Sequence, residues 1–295
     1  MIRSTGFAAS LALVLALLLS GCATLVQAPP DVEAERLLPQ GALAYARLDR
    51  TILGAVLSDG IAGIRPADAK SVQSLVDKTE LLTLALVRMP GSKGDSLFAV
   101  AEGSYPQGSA SFALSTNPAW RRTGAVWERK DGALRLAFVT GGRALLGTAP
   151  IDAMVEAAAK PHPYPIPARW TEAWSSPVAI YVPNPTGLIA SRIPLGEGGI
   201  PMLALVVSAR PIHGGANDGS YATTMQFQFD TDRAALVFSP ICRIFLFAAA
   251  HALWPESAAT TTDDAVWRTS GSVVSASGIT LTPASIAALA GSLSR

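Results

Sequence analysis

Apolar positions along this chain come in short blocks, alternating or continuous, separated by Gly, Pro and Asp. That is the pattern of strands joined by tight turns. Between residues 41 and 160, strands are predicted at Ala42–Leu48, Leu81–Val87, Ser96–Glu102, Thr123–Arg129, Ala133–Val139 and Ala144–Gly147. Asp131-Gly132 falls between two of them and favours a hairpin, because both turn residues need positive φ. Helical spacing predicts helices over Thr51–Leu57, Pro66–Lys78, Gln107–Ser115 and Pro150–Ala159. The last of these gathers Ile151, Met154, Val155 and Ala158 on one face.

Pro161, Pro163, Pro165 and Pro167 then predict a stiff, extended connector. Beyond it the pattern starts again. Ala168–Ser175 is a short helix with Trp170 and Trp174 four apart. Pro177–Pro183, Met202–Arg210 and Tyr221–Asp230 are strands, and Thr186–Ile193 is a helix. Asp232 opens a helix that Ser239-Pro240 is expected to interrupt. Ala265–Ser275 and Gly278–Leu281 read as a last hairpin, and Thr282-Pro283 as the cap and first residue of a closing helix.

The two series share landmarks in the same order. Ala44-Tyr45 recurs as Ile180-Tyr181, Leu84–Val87 as Leu203–Val206, Ala125-Val126-Trp127 as Ala265-Val266-Trp267, and Ile151–Met154 as Ile286–Leu289. A duplicated unit is therefore expected. Hairpins outnumber crossovers, which predicts an α+β fold of two tandem units, each a largely antiparallel sheet with helices packed on it. The expected units are 41–160 and 168–295, joined by the connector 161–167.

The N-terminus has a different grammar. Arg3 precedes an uncharged run from Phe7 to Leu19, too short to span a bilayer, and Leu19-Ser20-Gly21-Cys22 follows. These four residues resemble the lipobox of bacterial lipoproteins. The resemblance implies that 1–21 is a signal peptide cleaved after Gly21, and that Cys22 carries the acyl chains. Ala23 in place of Asp, by the same resemblance, implies the outer membrane, facing the periplasm or the cell surface. Residues 22–40 then read as a lipidated tether that spans roughly 60 Å when extended. No second membrane span is expected.

Charge narrows the partners. The chain holds 23 Lys+Arg and 22 Asp+Glu; residues 1–21 contain one Arg and no acid, leaving 22 against 22. Such a balance offers no electrostatic footprint for nucleic acid. With Cys22 acylated, Cys242 has no partner and reads as a small buried hydrophobe. Trp120, Trp127, Trp170 and Trp174 are expected in the core. Catalytic signals are sparse. His162, His213 and His251 have no metal-ligand spacing, and no nucleophile elbow or phosphate loop is present. No enzyme activity, metal or cofactor is predicted.

One stretch is unusual. Pro240–Trp254 has no clean polar face, the mark of a helix that is buried, membrane-associated or closed on an apolar ligand. Arg243, Phe247 and His251 are its candidate ligand-binding residues. The expected function is a membrane-anchored envelope lipoprotein with a binding or scaffolding role. Its partners are the bilayer, through acylated Cys22, and an envelope protein or a lipid. One alternative is a carrier or sensor of an apolar ligand, walled by this helix. The other is a hydrolase with a dispersed site drawing on His213 with Asp218 or Glu197.

Overall fold

The computed structural model describes residues 25–54, 76–89, 91, 94–186, 199–214, 219–254 and 263–292. The helices expected at Pro66–Lys78 and Thr186–Ile193 lie largely outside these residues, whereas residues 50–54 are helical at the start of the expected Thr51–Leu57, whose last three residues are outside. Cys22, Glu197 and Asp218 are outside as well.

The first series runs β1 (Ala44–Asp49), β2 (Thr79–Arg88), β3 (Asp95–Gly103), helix α1 (Gln107–Thr116), β4 (Trp120–Thr123), β5 (Val126–Arg129), β6 (Arg135–Val139), β7 (Arg143–Gly147) and helix α2 (Asp152–Ala159). The second runs α3 (Thr171–Trp174), β8 (Val178–Pro183), β9 (Met202–Pro211), β10 (Tyr221–Phe229), α4 (Asp232–Leu253), β11 (Val266–Ser270), β12 (Val273–Leu281) and α5 (Pro283–Ser292). The fold is α+β, and its described strands form one 12-stranded sheet in the order β11-β12-β10-β9-β8-β1-β2-β3-β7-β6-β5-β4. Every pairing in it is antiparallel.

The two series meet in the middle of this sheet. β1 and β8 pair with Tyr45 opposite Tyr181, and the two rings stack at 6.4 Å. The sheet therefore continues without a break across the proline connector. The outer edges are β4, Trp120-Arg121-Arg122-Thr123, and β11, with Trp267-Arg268-Thr269-Ser270.

Alternation along the strands gives the sheet two apolar faces. Leu48, Val178, Ile180, Leu205, Val207, Phe227, Val274 and Ala276 point to one face, where α4 and α5 cover them. Tyr45, Ala85, Val100, Leu145, Tyr181 and Val206 point to the other, under α2, Trp170 and Trp174. Trp127 and Trp170 are buried with Trp174, while Trp120 is partly exposed.

Several boundaries move from expectation. Thr123–Arg129 is not one strand. Gly124, at φ +61°, turns the chain between β4 and β5. The last hairpin turns at Gly271, at φ +55°, and not before Gly278. Gly278 lies inside β12, where the pairing to β10 shifts register between Thr223 and Met225. Nor does the Ala-Val-Trp landmark fall on equivalent strands. β11 is second out from β10, whereas β5 is third out from β3.

Residues 25–40 differ most from the extended tether that the sequence suggests. Val26 donates to the Phe138 carbonyl and accepts from the Thr140 amide, both at 3.0 Å, bridging in parallel to Val139. Val32, Leu37 and Leu38 are buried beneath the sheet. Glu35 is also buried; it accepts from the Trp174 indole at 2.7 Å and from Arg47 at 3.3 Å. The segment contributes core, because its few large apolar residues fill the space between α2 and the strands. The connector is fastened to it. Arg36 donates to the His162 carbonyl and Gln40 to that of Pro163.

Candidate functional site

Helix α4 decides what the unusual apolar stretch is. Thr231 caps it, accepting from the Ala234 amide at 3.2 Å. The helix then runs without interruption for 22 residues, with Pro240 inside it. The expected break at Ser239-Pro240 does not occur. Pro240 and Leu236, one turn earlier, are both exposed, so the carbonyl left without a partner faces solvent instead of core. The apolar run is thereby longer than Pro240–Trp254 implies. At 1.5 Å per residue the helix is about 33 Å long. By length and composition alone Asp232–Ala252 could cross a membrane.

Packing gives the helix two unlike sides. Ala235, Cys242, Leu246, Ala249 and Ala250 are buried against the sheet. Phe245 meets Phe227 edge-on at 6.1 Å, and Phe238 stacks on Phe229 at 6.0 Å. This inner side is core, and burial pushes the Cys242 thiol up to about 12. Only 33% of the apolar stretch is buried, however, less than a core helix would show. Leu236 is 66% exposed, Val237 61%, Ile244 54% and Phe247 52%. Spaced three and four apart, they form one outer stripe with Pro240. Arg233, Arg243 and His251 lie exposed along it, and Asp232 is the only acid in the helix.

The three expected site residues all fall on this outer side. The Arg243 guanidinium stands 5.6 Å from the centre of the Trp267 ring, a cation–π contact that holds it mid-helix. Phe247 and His251 meet with ring centres 4.0 Å apart and the rings tilted by 35°, and His251 Nδ1 lies 3.1 Å from the Phe247 carbonyl oxygen. The stripe's other members, Leu236 and Val237, precede Pro240 and were hidden by reading the proline as a break.

For a dispersed catalytic site, only His213 of the candidate trio is described, and it is exposed at the end of β9. Among the described residues, no three His, Cys, Asp or Glu side chains converge as metal ligands would.

No family model matches the chain, and no curated protein matches it. Its fold is similar to that of TP0453 in several crystal forms. Form I aligns at a TM-score of 0.65 and 15% identity, over 90% of this chain and 100% of that one. Form III gives 0.64 and 15% over the same shares. Form IV gives 0.61 and 16%, over 88% of this chain and 97% of that one. At such identities the likeness is one of fold.

Proposed function

We propose that this chain is a non-enzymatic, lipid-anchored protein of the cell envelope that lies against the bilayer and binds it through the outer stripe of α4. The stripe carries the reading: four large apolar side chains face water from a helix whose inner side is already satisfied. Arg233 and Arg243 outnumber the single acid, Asp232, along it, which suits anionic lipid. The docked N-terminal segment supports the same conclusion. From Cys22 to Val26 is four residues, at most about 14 Å of chain. An acyl group on Cys22 therefore keeps the sheet close to the head groups.

Magnitudes favour two signals acting together. Burying one large apolar side chain fully is worth about 2 kcal/mol, so the half-exposed stripe offers roughly 5 kcal/mol. That corresponds to a dissociation constant on the order of 0.2 mM, weak by itself. Combined with a lipid anchor it holds the protein in a fixed pose. The carrier alternative is less well supported, since Phe245, Phe227 and Leu246 fill the space behind the helix. By the lipobox resemblance the membrane is the outer one.

We also infer that the two series descend from one duplicated unit. β1-β2-β3 and β8-β9-β10 run outward in matching order from the Tyr45–Tyr181 pair.

Labelled fatty acid and fractionation test the main reading. Label should enter the native chain and not Cys22→Ala. Cys22→Ala should keep residual membrane association, which a second change, Phe247→Glu, abolishes. A Cys22→Ala protein that still takes up label, or a double variant as membrane-bound as the single one, would overturn it.

A further inference from the structure

The sheet face opposite α4 is not covered evenly, and the reason is topological. In the first series the helix after the last hairpin, α2, packs on the Tyr45–Tyr181 face. In the second series its counterpart, α5, packs on the other face beside α4. Nothing equivalent to α2 lies behind β9 and β10 among the described residues. The back of these strands forms instead the floor of an open cleft of about 380 Å³.

Its floor is polar. Ser208 and Arg210 of β9 lie beside Thr224 and Ala222 of β10, and Gln226 continues the row. One wall is the turn before α3 and α3 itself, with Arg169, Glu172 and Ala173. Arg169 is held in place. Its guanidinium donates to Gln228 Oε1 at 3.0 Å. Gln228 is 4% exposed, and its amide donates to Ser272 Oγ at 2.7 Å and to the Phe229 carbonyl at 2.8 Å. A buried amide fixed from its other side thus aims a guanidinium into the cleft. Arg210, toward the other end, donates through Nε to Ser176 Oγ at 3.4 Å.

Neither arginine forms an ion pair among the described residues, although seven others do. Each keeps N–H groups directed outward in the planar array that grips a phosphate or a carboxylate. Between them Ser208, Thr224 and Gln226 both donate and accept, and Glu172 accepts only. A ligand that satisfies them all carries an anionic group and several hydroxyls. The small residues Ala173 and Ala222 leave room for a ring, and the volume is that of a sugar-sized molecule.

We propose that this cleft binds an anionic polyol, a sugar-sized molecule bearing a phosphate or a carboxylate. The anion sits on Arg169 or Arg210, with the hydroxyls on Thr224, Gln226 and Glu172. The site is on the sheet face away from α4, the face on which the N-terminal segment also packs.

Titration calorimetry on the full chain in neutral detergent, at low salt, tests it. The probes are glucose 1-phosphate, glucuronate, glucose and inorganic phosphate. At least one anionic sugar should bind with a dissociation constant near or below about 1 mM, and glucose at least about tenfold more weakly. Arg210→Gln, an exposed change, should weaken binding by about tenfold, and Arg169→Gln similarly. Preference for the phosphate or the uronate identifies the anion. Three results would each overturn the proposal: no heat from either anionic sugar, binding unchanged in both variants, or inorganic phosphate binding as tightly as the sugars.

Discussion

Phe247→Glu is the sharpest probe of the α4 stripe. Phe247 is 52% exposed and its ring touches His251, a neighbour on the same outer side. The change therefore leaves the packing against Phe227 and Phe229 intact, and stability should move by no more than about 0.5 kcal/mol. Binding should move much further. Losing the half-exposed ring removes about 1 kcal/mol of apolar transfer. A carboxylate facing anionic lipid costs about 1 kcal/mol more. Together these weaken vesicle binding by about thirtyfold. The assay is co-sedimentation of unlipidated Cys22→Ser chain with vesicles, with and without Phe247→Glu, over a lipid titration. Anionic vesicles should bind more tightly than neutral ones, and added salt should narrow the gap as Arg233 and Arg243 are screened. A Phe247→Glu protein with an unchanged urea midpoint and unchanged vesicle affinity would refute the reasoning.

Glu35→Ala leaves the Trp174 indole and Arg47 without their shared acceptor, and should lower unfolding free energy by about 2–4 kcal/mol. Glu35→Gln, which keeps an acceptor, should cost less than half of that by urea denaturation; equal losses would contradict this account. Cys242 should resist alkylation at pH 8 until urea unfolds the chain, because burial keeps it a thiol. Its proton leaves the unfolded chain near pH 9 and the folded one near 12, and the Tyr164 hydroxyl is raised in the same sense, from 10.0 to about 12. Across that interval the unfolded state binds fewer protons, so the urea midpoint should fall as pH rises, and less steeply in Cys242→Ala. A flat midpoint would show that these groups do not govern alkaline stability. Residues 25–160 alone would expose the β1 edge that β8 covers. The fragment should be insoluble or dimerise through β1, and a stable soluble monomer by light scattering would disprove the seam's importance.

Much of the fold was legible because its signals are local. Alternation gave the strands. Asp131-Gly132 marked a turn, but only Gly132 takes positive φ, at +73°; Asp131 does not, and the connection between β5 and β6 runs over residues 130–134 instead of two. Thr282-Pro283 marked the start of α5, with the Thr282 hydroxyl accepting from the Ser285 amide. What was lost depended on distant partners. Gly124 interrupts a run that still reads as a strand. Pro240 looks like a break unless one knows that its side of the helix is solvent. Val26, Leu37 and Leu38 have no period of their own, and only the space beneath β2, β3 and α2 explains their burial. The same holds for sites. Arg243, Phe247 and His251 were found through composition, but their outward direction follows from what Cys242 and Leu246 pack against. Arg169 and Arg210 gave no signal, since one stands on a wall and the other on the floor.

Both rims of the sheet end in arginine. β4 ends it with Arg121, paired with Glu128, and Arg122, over the Trp127 ring; β11 ends it with Arg268, next to Trp267. A lipid anchor would confine many copies to a two-dimensional layer, where collisions are frequent and orientations shared. Open strands in that setting invite growth from molecule to molecule into ribbons. Here rim meeting rim brings arginine against arginine, and like charges across a nascent strand pair oppose it. Crowding on a surface would thus be tolerated without a closed barrel, through side chains that never enter the core.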